Sequence, residues 1–366
     1  MRITDKTTSS NAIYNINEGR IKLDRLNEAV SSGKVINRPS DDPASTKKIL
    51  DLESQIKTSN QYVSNIKTGQ TWLDMAGTSL EGALDSLMSI KGIAGQAISG
   101  ITDPVKKSDM LDQLREFRGQ LLDFPNTQIG GQYVFSGFKS DTIPFSPTKL
   151  TGVSTTSGDP NITNVDTTDL YVGMPITGPD IPPGSVITAI PTPGASGKIT
   201  LSNPATSTNA ASTLTFTGKF NGTEDIVSME INKGVQVPIG VSGGALLRGG
   251  TPPGSSGVDI IKTLDTLIAD ISSGNTAGIQ AGNIAIDKAN QQILGQISNV
   301  GMRKARMDNA LESQQRNLNV LSAIHDGMQN IDYAKAAIEL TNQKTAFEAA
   351  LSATAKITPL SLLDYL

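Results

Sequence analysis

Residues 40–87 read SDDPASTKKILDLESQIKTSNQYVSNIKTGQTWLDMAGTSLEGALDSL, and the spacing of their apolar side chains predicts one long helix. In a seven-residue frame Ile49, Ile56, Val63 and Leu84 hold one seam position, and Leu52, Ile66, Leu73, Leu80 and Leu87 hold the other. Ser59, Gln70, Gly77 and Lys91 interrupt the seam, which makes it a bundle helix more than a continuous zipper. The start is marked by Ser40-Asp41-Asp42-Pro43, where an Asp N-cap precedes a proline at the first helical position. Trp72 and Leu73 flank the seam and are read as core of the helical part.

Outward from this helix, proline divides the chain. Thirteen of the 18 prolines lie between residues 141 and 257, and none lies from 254 to 358. A helix interior excludes proline, which lacks the N–H donor and clashes with the preceding turn. The flanks can therefore be helical over long distances and the middle cannot. On the N-terminal side Ile16, Leu23 and Val30 recur every seven residues and predict a helix that stops near Ser31-Ser32-Gly33. Thr102-Asp103-Pro104 repeats the cap-and-proline device ahead of a helix carrying Leu111, Leu114, Phe117 and Leu121.

The C-terminal flank mirrors this arrangement from about Asp259 to Leu363. Ile297, Leu311 and Leu318 pair with Val300, Met307, Leu321 and Met328. The seam then drifts to Ile324, Ile331 and Ile338, followed by Leu340, Phe347 and Leu351. Most helical stability comes from packing of an apolar face, so a narrow stripe cannot hold a lone helix in water. Each terminal helix needs a partner. The simplest is the other terminus of the same chain, with neighbouring subunits covering what remains.

The middle reads as β. Fifteen threonines fall between Thr151 and Thr217, with β-favouring runs such as Ser185-Val186-Ile187-Thr188 and Leu214-Thr215-Phe216-Thr217. Gly178-Pro179, Pro182-Pro183-Gly184 and Pro193-Gly194 supply turns between them. Residues 169–217 resemble a small β module of phage tail and bacterial surface proteins. The flanking pieces, 141–150 and 218–250, look like a separate β domain into which that module is inserted.

Composition narrows the function classes. Aromatic residues make up only 4% and there is a single tryptophan, thin material for one large globular core. The formal net charge of −4 argues against nucleic acid or an anionic membrane surface as partner. With no cysteine there are no disulfides, thiol nucleophiles or thiolate metal sites, and with one histidine, His325, there is no multi-histidine site. No signal-peptide core and no run of about 18 apolar residues is found. A cytoplasmic protein, or one exported by a route that reads no cleaved signal, would look this way.

Individual candidates for chemistry reduce to structural readings. Asp41 and Asp42 could form an acid–base pair, but beside Pro43 they read as turn and helix cap. His325 falls on the seam with no nucleophile in view. Ser32-Gly33-Lys34 lacks the earlier glycine of a phosphate loop. Gly130-Gly131 reads as a hairpin turn, Leu114-Arg115-Glu116-Phe117-Arg118 as a helix face and no more, and Leu246 to Gly250 as a chance likeness to a ubiquitin tail. Met302, Met307 and Met328 read as adaptable core or interface filler. No catalytic residue, cofactor site or metal site is expected.

Three segments carry a resemblance to a known family. Asn37-Arg38-Pro39-Ser40-Asp41-Asp42-Pro43, the stretch Gly130-Gly131-Gln132-Tyr133-Val134-Phe135-Ser136-Gly137-Phe138 continuing to Pro144-Phe145, and the ending Leu360-Ser361-Leu362-Leu363-Asp364-Tyr365-Leu366 resemble the flagellin superfamily. Within it they resemble the hook-associated proteins of the hook–filament junction more than filament flagellin. The resemblance covers roughly 1–145 and 258–366, and the β module is the departure from pattern.

The resemblance implies a mainly α fold with a long bundle of N- and C-terminal segments and an outward β domain. It implies a structural subunit of the bacterial flagellum, not an enzyme, exported through the flagellar type III apparatus without a cleaved signal. The implied partners are copies of itself in a ring, the preceding hook-associated protein, flagellin, and an export chaperone on the C-terminal helical segment. A filament flagellin, or a surface-binding module carried by the β insertion, is the alternative. The domain reading is a terminal coiled coil of 1–42 with 320–366, and a helical rod with β-hairpin of 43–142 with 258–319. A β part of 143–257 then contains the module at about 152–216. The expected assembly residues are Ile16, Leu23, Val30, Ile324, Met328, Ile331, Ile338, Phe347, Leu351, Leu362 and Leu363, and the expected turn-and-cap residues are Pro39, Ser40, Asp41, Asp42 and Pro43.

Overall fold

The computed structural model describes residues 5–99, 103–250 and 253–357. Its order is α1 (Asp5–Ser32), α2 (Pro43–Ile98), α3 (Pro104–Asp123), a hairpin of β1 (Gln128–Ile129) and β2 (Gln132–Tyr133), then β3 (Thr148–Thr155), β4 (Asn161–Val165) and β5 (Ile176–Thr177). There follow β6 (Ile187–Thr192), β7 (Gly197–Leu201), β8 (Asn209–Phe216), β9 (Ser228–Asn232), β10 (Val235–Pro238), α4 (Ile260–Ser273), α5 (Thr276–Gln329) and α6 (Tyr333–Ile357). This is the mainly α fold with an inserted β region that the proline distribution predicts. The chain forms two compact units, one of residues 1–61 with 313–366 and one of residues 62–312, and α2 and α5 contribute to both.

In the second unit the seam leucines become core. Ile66, Leu73, Leu80 and Leu87 of α2 are fully buried with Leu114 and Leu121 of α3, Leu264 and Leu267 of α4, and Ile286 and Ile293 of α5. Trp72 and Met307 join them, whereas Met302 is exposed. Local chemistry sets the helix ends. The Asp103 side chain accepts from Val105 N at 3.0 Å ahead of Pro104. Asp259 caps α4 by accepting from Lys262 N at 2.9 Å, and Gly274 closes it in a left-handed conformation. The β1–β2 turn puts Gly130 and Gly131 at φ 57° and 82°, the backbone a two-residue type I′ turn requires.

The inserted sheet is six-stranded and antiparallel, in the order β5-β8-β3-β4-β7-β6. It begins at Thr148, a few residues before the boundary read from composition, because β3 pairs along its length with β8. Alternation fixes its faces: Ile199 and Leu201 are buried while Lys198 and Thr200 are not, and Leu214 and Phe216 are buried beside the more exposed Thr213 and Thr215. These side chains, with Val153, Ile162, Met174 and Ile176, form a core distinct from that of the helices. The pieces on either side behave differently. Phe145, Ile231, Val237, Ile239 and Val241 pack into the helical core and Leu150 packs against the core of the sheet, so 141–150 and 218–250 have no separate core of their own.

Candidate assembly surface

In the first unit α1 and α6 pack against each other. A side-chain carbon placed on Gly19 would lie 3.3 Å from the Phe347 ring, and Gln343 Nε2 donates to Gly19 O at 3.2 Å. The links at their ends are also joined. Val35 N donates to Gln329 O at 2.8 Å, and Ile331 N donates to Gly33 O at 3.0 Å. Gly33 sits at φ +73°, where an added carbon would lie 2.6 Å from Tyr333 Oη. Each terminal helix thus has the other terminus as its partner.

The turn before α2 is built by its acids. Arg38 N donates to Asp41 Oδ2 at 3.0 Å, and Asp42 Oδ1 accepts from Ala44 N and Ser45 N, both at 3.0 Å. Hydrogen bonds from Ser45 hold the Asp42 carboxyl below the usual carboxylate range. Both acids are therefore engaged with backbone N–H groups. Pro39, Ser40, Asp41 and Pro43 are exposed and Asp42 is half-buried.

Burial separates this unit from the other. Its buried apolar side chains among the described residues are Ile49, Leu52, Leu321 and Ala336. Of the seam residues, Ile16, Leu23, Val30, Met328, Ile331 and Phe347 are half-buried. Ile324, Ile338 and Leu351 stand 47%, 63% and 43% exposed. Leu362 and Leu363, with the whole 360–366 ending, lie outside the described residues. Periodicity alone passes over Ile13, Tyr14 and Ile21 on α1 and Val35, Val320 and Tyr333 beyond it, all exposed as well. The signal that could have found them is plain: they are large apolar residues lying off the seven-residue seam, with Val35 in the link that follows α1.

His325 stands near Asp326 and Glu53, at 3.3 and 3.5 Å. A cavity of about 560 Å³ in the second unit is lined by Tyr171, Arg248, Asp259 and Lys262, and its buried acid is paired with Arg248 at 3.0 Å. Among the described residues no group of acids and His325 is placed to hold a metal ion, and no helix is long and apolar enough to cross a membrane.

Residues 3–140 match the family model of the bacterial flagellin N-terminal helical region, and residues 284–366 match that of the C-terminal helical region. The chain belongs to the flagellin family. This flagellin-family chain is 24% identical over 157 residues to flagellar hook-associated protein 3 of Escherichia coli K12, covering 41% of the chain and 47% of that protein. It is 24% identical over 153 residues to flagellar hook-associated protein 3 of Salmonella typhimurium LT2, covering 40% and 46%. The chain thus spans about half the length of the curated relatives it matches. A solved flagellar hook-associated protein from Vibrio parahaemolyticus shares the fold, with a TM-score of 0.55 at 20% identity over 79% of this chain and all of that one.

Proposed function

We propose that this flagellin-family chain is a structural subunit of the bacterial flagellum that joins hook to filament, and that it is not an enzyme. The observation that carries the reading is the apolar surface left open on the paired terminal helices. A soluble monomer rarely exposes contiguous apolar area without a partner to cover it. Ile13, Ile338 and Leu351 are consistent with a surface completed by assembly. The likeness to flagellar hook-associated protein 3 favours the junction over the filament.

In this reading 1–42 with 320–366 form the assembly layer. Residues 43–142 with 258–319 form a helical rod with a β-hairpin, and 143–257 carry the β part with the module at about 152–216. Copies of the chain close into a ring that stacks on the preceding hook-associated protein and receives flagellin. Many modest apolar contacts, repeated around a closed symmetric assembly, hold the joint. Export proceeds through the flagellar type III apparatus, with a chaperone on the C-terminal helical segment until secretion. No cofactor, nucleic acid or membrane enters the scheme.

A deletion strain tests it. The strain should fail to retain filaments and should shed unpolymerised flagellin into the medium; normal filaments would refute the proposal. Purified chain that polymerises alone into long filaments on mild salting-out would mark it as a filament flagellin instead.

A further inference from the structure

Tyr171 and the Thr217–Gly218 exit of the inserted segment meet side chains that converge on two buried acids, Asp265 of α4 and its N-cap Asp259. Asp265 of α4 is 3% exposed and accepts from Arg118 of α3 at two points, Nε to Oδ1 at 2.5 Å and Nη2 to Oδ2 at 3.1 Å. The same Oδ2 accepts from the hydroxyl of Tyr171, a residue of the inserted segment, at 2.6 Å. Burial, with Asp265 beside it, pushes the Tyr171 hydroxyl well above its ordinary value, so it stays protonated and donates.

The exit of the segment is gripped as well. Arg118 Nη1 donates to Thr217 Oγ1 at 2.9 Å and Nη2 to Thr217 O at 3.2 Å. Arg248 donates to Gly218 O and, through Nε, to the α4 cap Asp259 at 3.0 Å. Its guanidinium lies 5.2 Å from the centre of the Tyr171 ring. It is carried on a five-residue π-helix, Gly244–Arg248, a conformation that recurs at sites under special constraint.

Buried ion pairs are poor sources of net stability, because desolvation offsets most of the attraction. Apolar replacements of similar volume often leave stability unchanged or higher. What such a pair can impose is directionality: a bidentate guanidinium–carboxylate contact and a hydroxyl aimed at one oxygen are satisfied in a single orientation, whereas apolar contact is satisfied in many. The sheet has a core of its own, of which the Tyr171 ring is part, and Arg118 and Asp265 lie outside it.

We propose that Arg118, Tyr171 and Asp265 form an orientation lock that fixes the inserted sheet at one angle to α3 and α4. They act as positioning residues, with Arg248 and Asp259 holding the exit strand. The lock makes the sheet a rigid part of the second unit and not a tethered domain that swings on two linkers.

Absence of native cysteine makes the test direct. Spin labels at Thr163→Cys on the sheet and Asp109→Cys on α3, both exposed positions, report the inter-label distance distribution in the full chain by pulsed electron resonance. The parent should give one narrow distribution. Tyr171→Phe should widen it, and the apolar triple Arg118→Met, Tyr171→Phe, Asp265→Leu should widen it twofold or more with an unchanged or higher melting midpoint. A triple variant that keeps the parent's width, or a parent as broad as the triple, overturns the proposal. If the triple does not fold, Tyr171→Phe decides alone, and an unchanged width in that variant overturns it.

Discussion

Replacing Ile338 by serine separates the two tasks of an apolar residue on α6, holding the monomer together and covering a neighbour. Ile338 is 63% exposed. Complete burial of an isoleucine side chain is worth about 1.5–3 kcal/mol, so covering its exposed portion would contribute roughly 1–2 kcal/mol per contact. The monomer gains little from the residue as it stands, and Ile338→Ser should change monomer stability by no more than about 0.5 kcal/mol. Leu73→Ala provides the contrast: Leu73 is completely buried in the second unit, and its truncation should cost about 2–5 kcal/mol. Denaturant unfolding of purified monomers measures the first quantity, while swimming halos and flagellin shed into the medium measure the second. Ile338→Ser should leave the unfolding midpoint near the parent and increase shed flagellin. A variant that loses as much monomer stability as Leu73→Ala, while retaining filaments normally, would refute the reasoning.

Three further outcomes follow from particular residues. Gly33→Ala places a side chain at φ +73° and against Tyr333 Oη, so it should destabilise the first unit by about 1–2 kcal/mol in thermal unfolding, and a neutral effect would contradict the geometry. Asp180 accepts from Ser207, Ser212 and Asn209, and the bonds from Ser207 and Ser212 hold its carboxyl below the usual range. Its folded-state value lies below the unfolded one, so its contribution is present above the ordinary value of 3.8 and lost as pH falls through the lowered value. Asp180→Asn should therefore make the acid limb of thermal stability shallower, and an identical slope would count against the assignment. Limited proteolysis of the monomer should trim roughly the first and last 40 residues before the rest, since loosely packed ends open first; equal protection of ends and middle would show that the terminal pair is stable unaided.

The helical flanks and the β middle are legible because their causes are local. A proline has no N–H to give a helix wherever it sits, and Asp42-Pro43 and Asp103-Pro104 mark helix starts with side chains two or three residues from the backbone groups they satisfy. The boundary of the inserted sheet is read only to within a few residues, because β3 continues through a stretch with no break in composition. For the candidate surface, spacing points to a seam, but exposure on α1 and α6 depends on how two helices more than 300 residues apart in the chain lie together. That is why Ile13 and Tyr14 do not stand out in a seven-residue frame.

Leu114-Arg115-Glu116-Phe117-Arg118 illustrates the division most sharply. Read by itself it is a helix face, and α3 does run through it. Only the tertiary structure turns Arg118 inward to meet Asp265, 147 residues away, and Tyr171, which shares the same carboxylate from 94 residues away. Sequence alone determined where the backbone can be helix and where it must be strand and turn, because those limits act between near neighbours. Which buried charge meets which was decided by packing, since a lone charge excluded from water must find its partner wherever the fold has placed one.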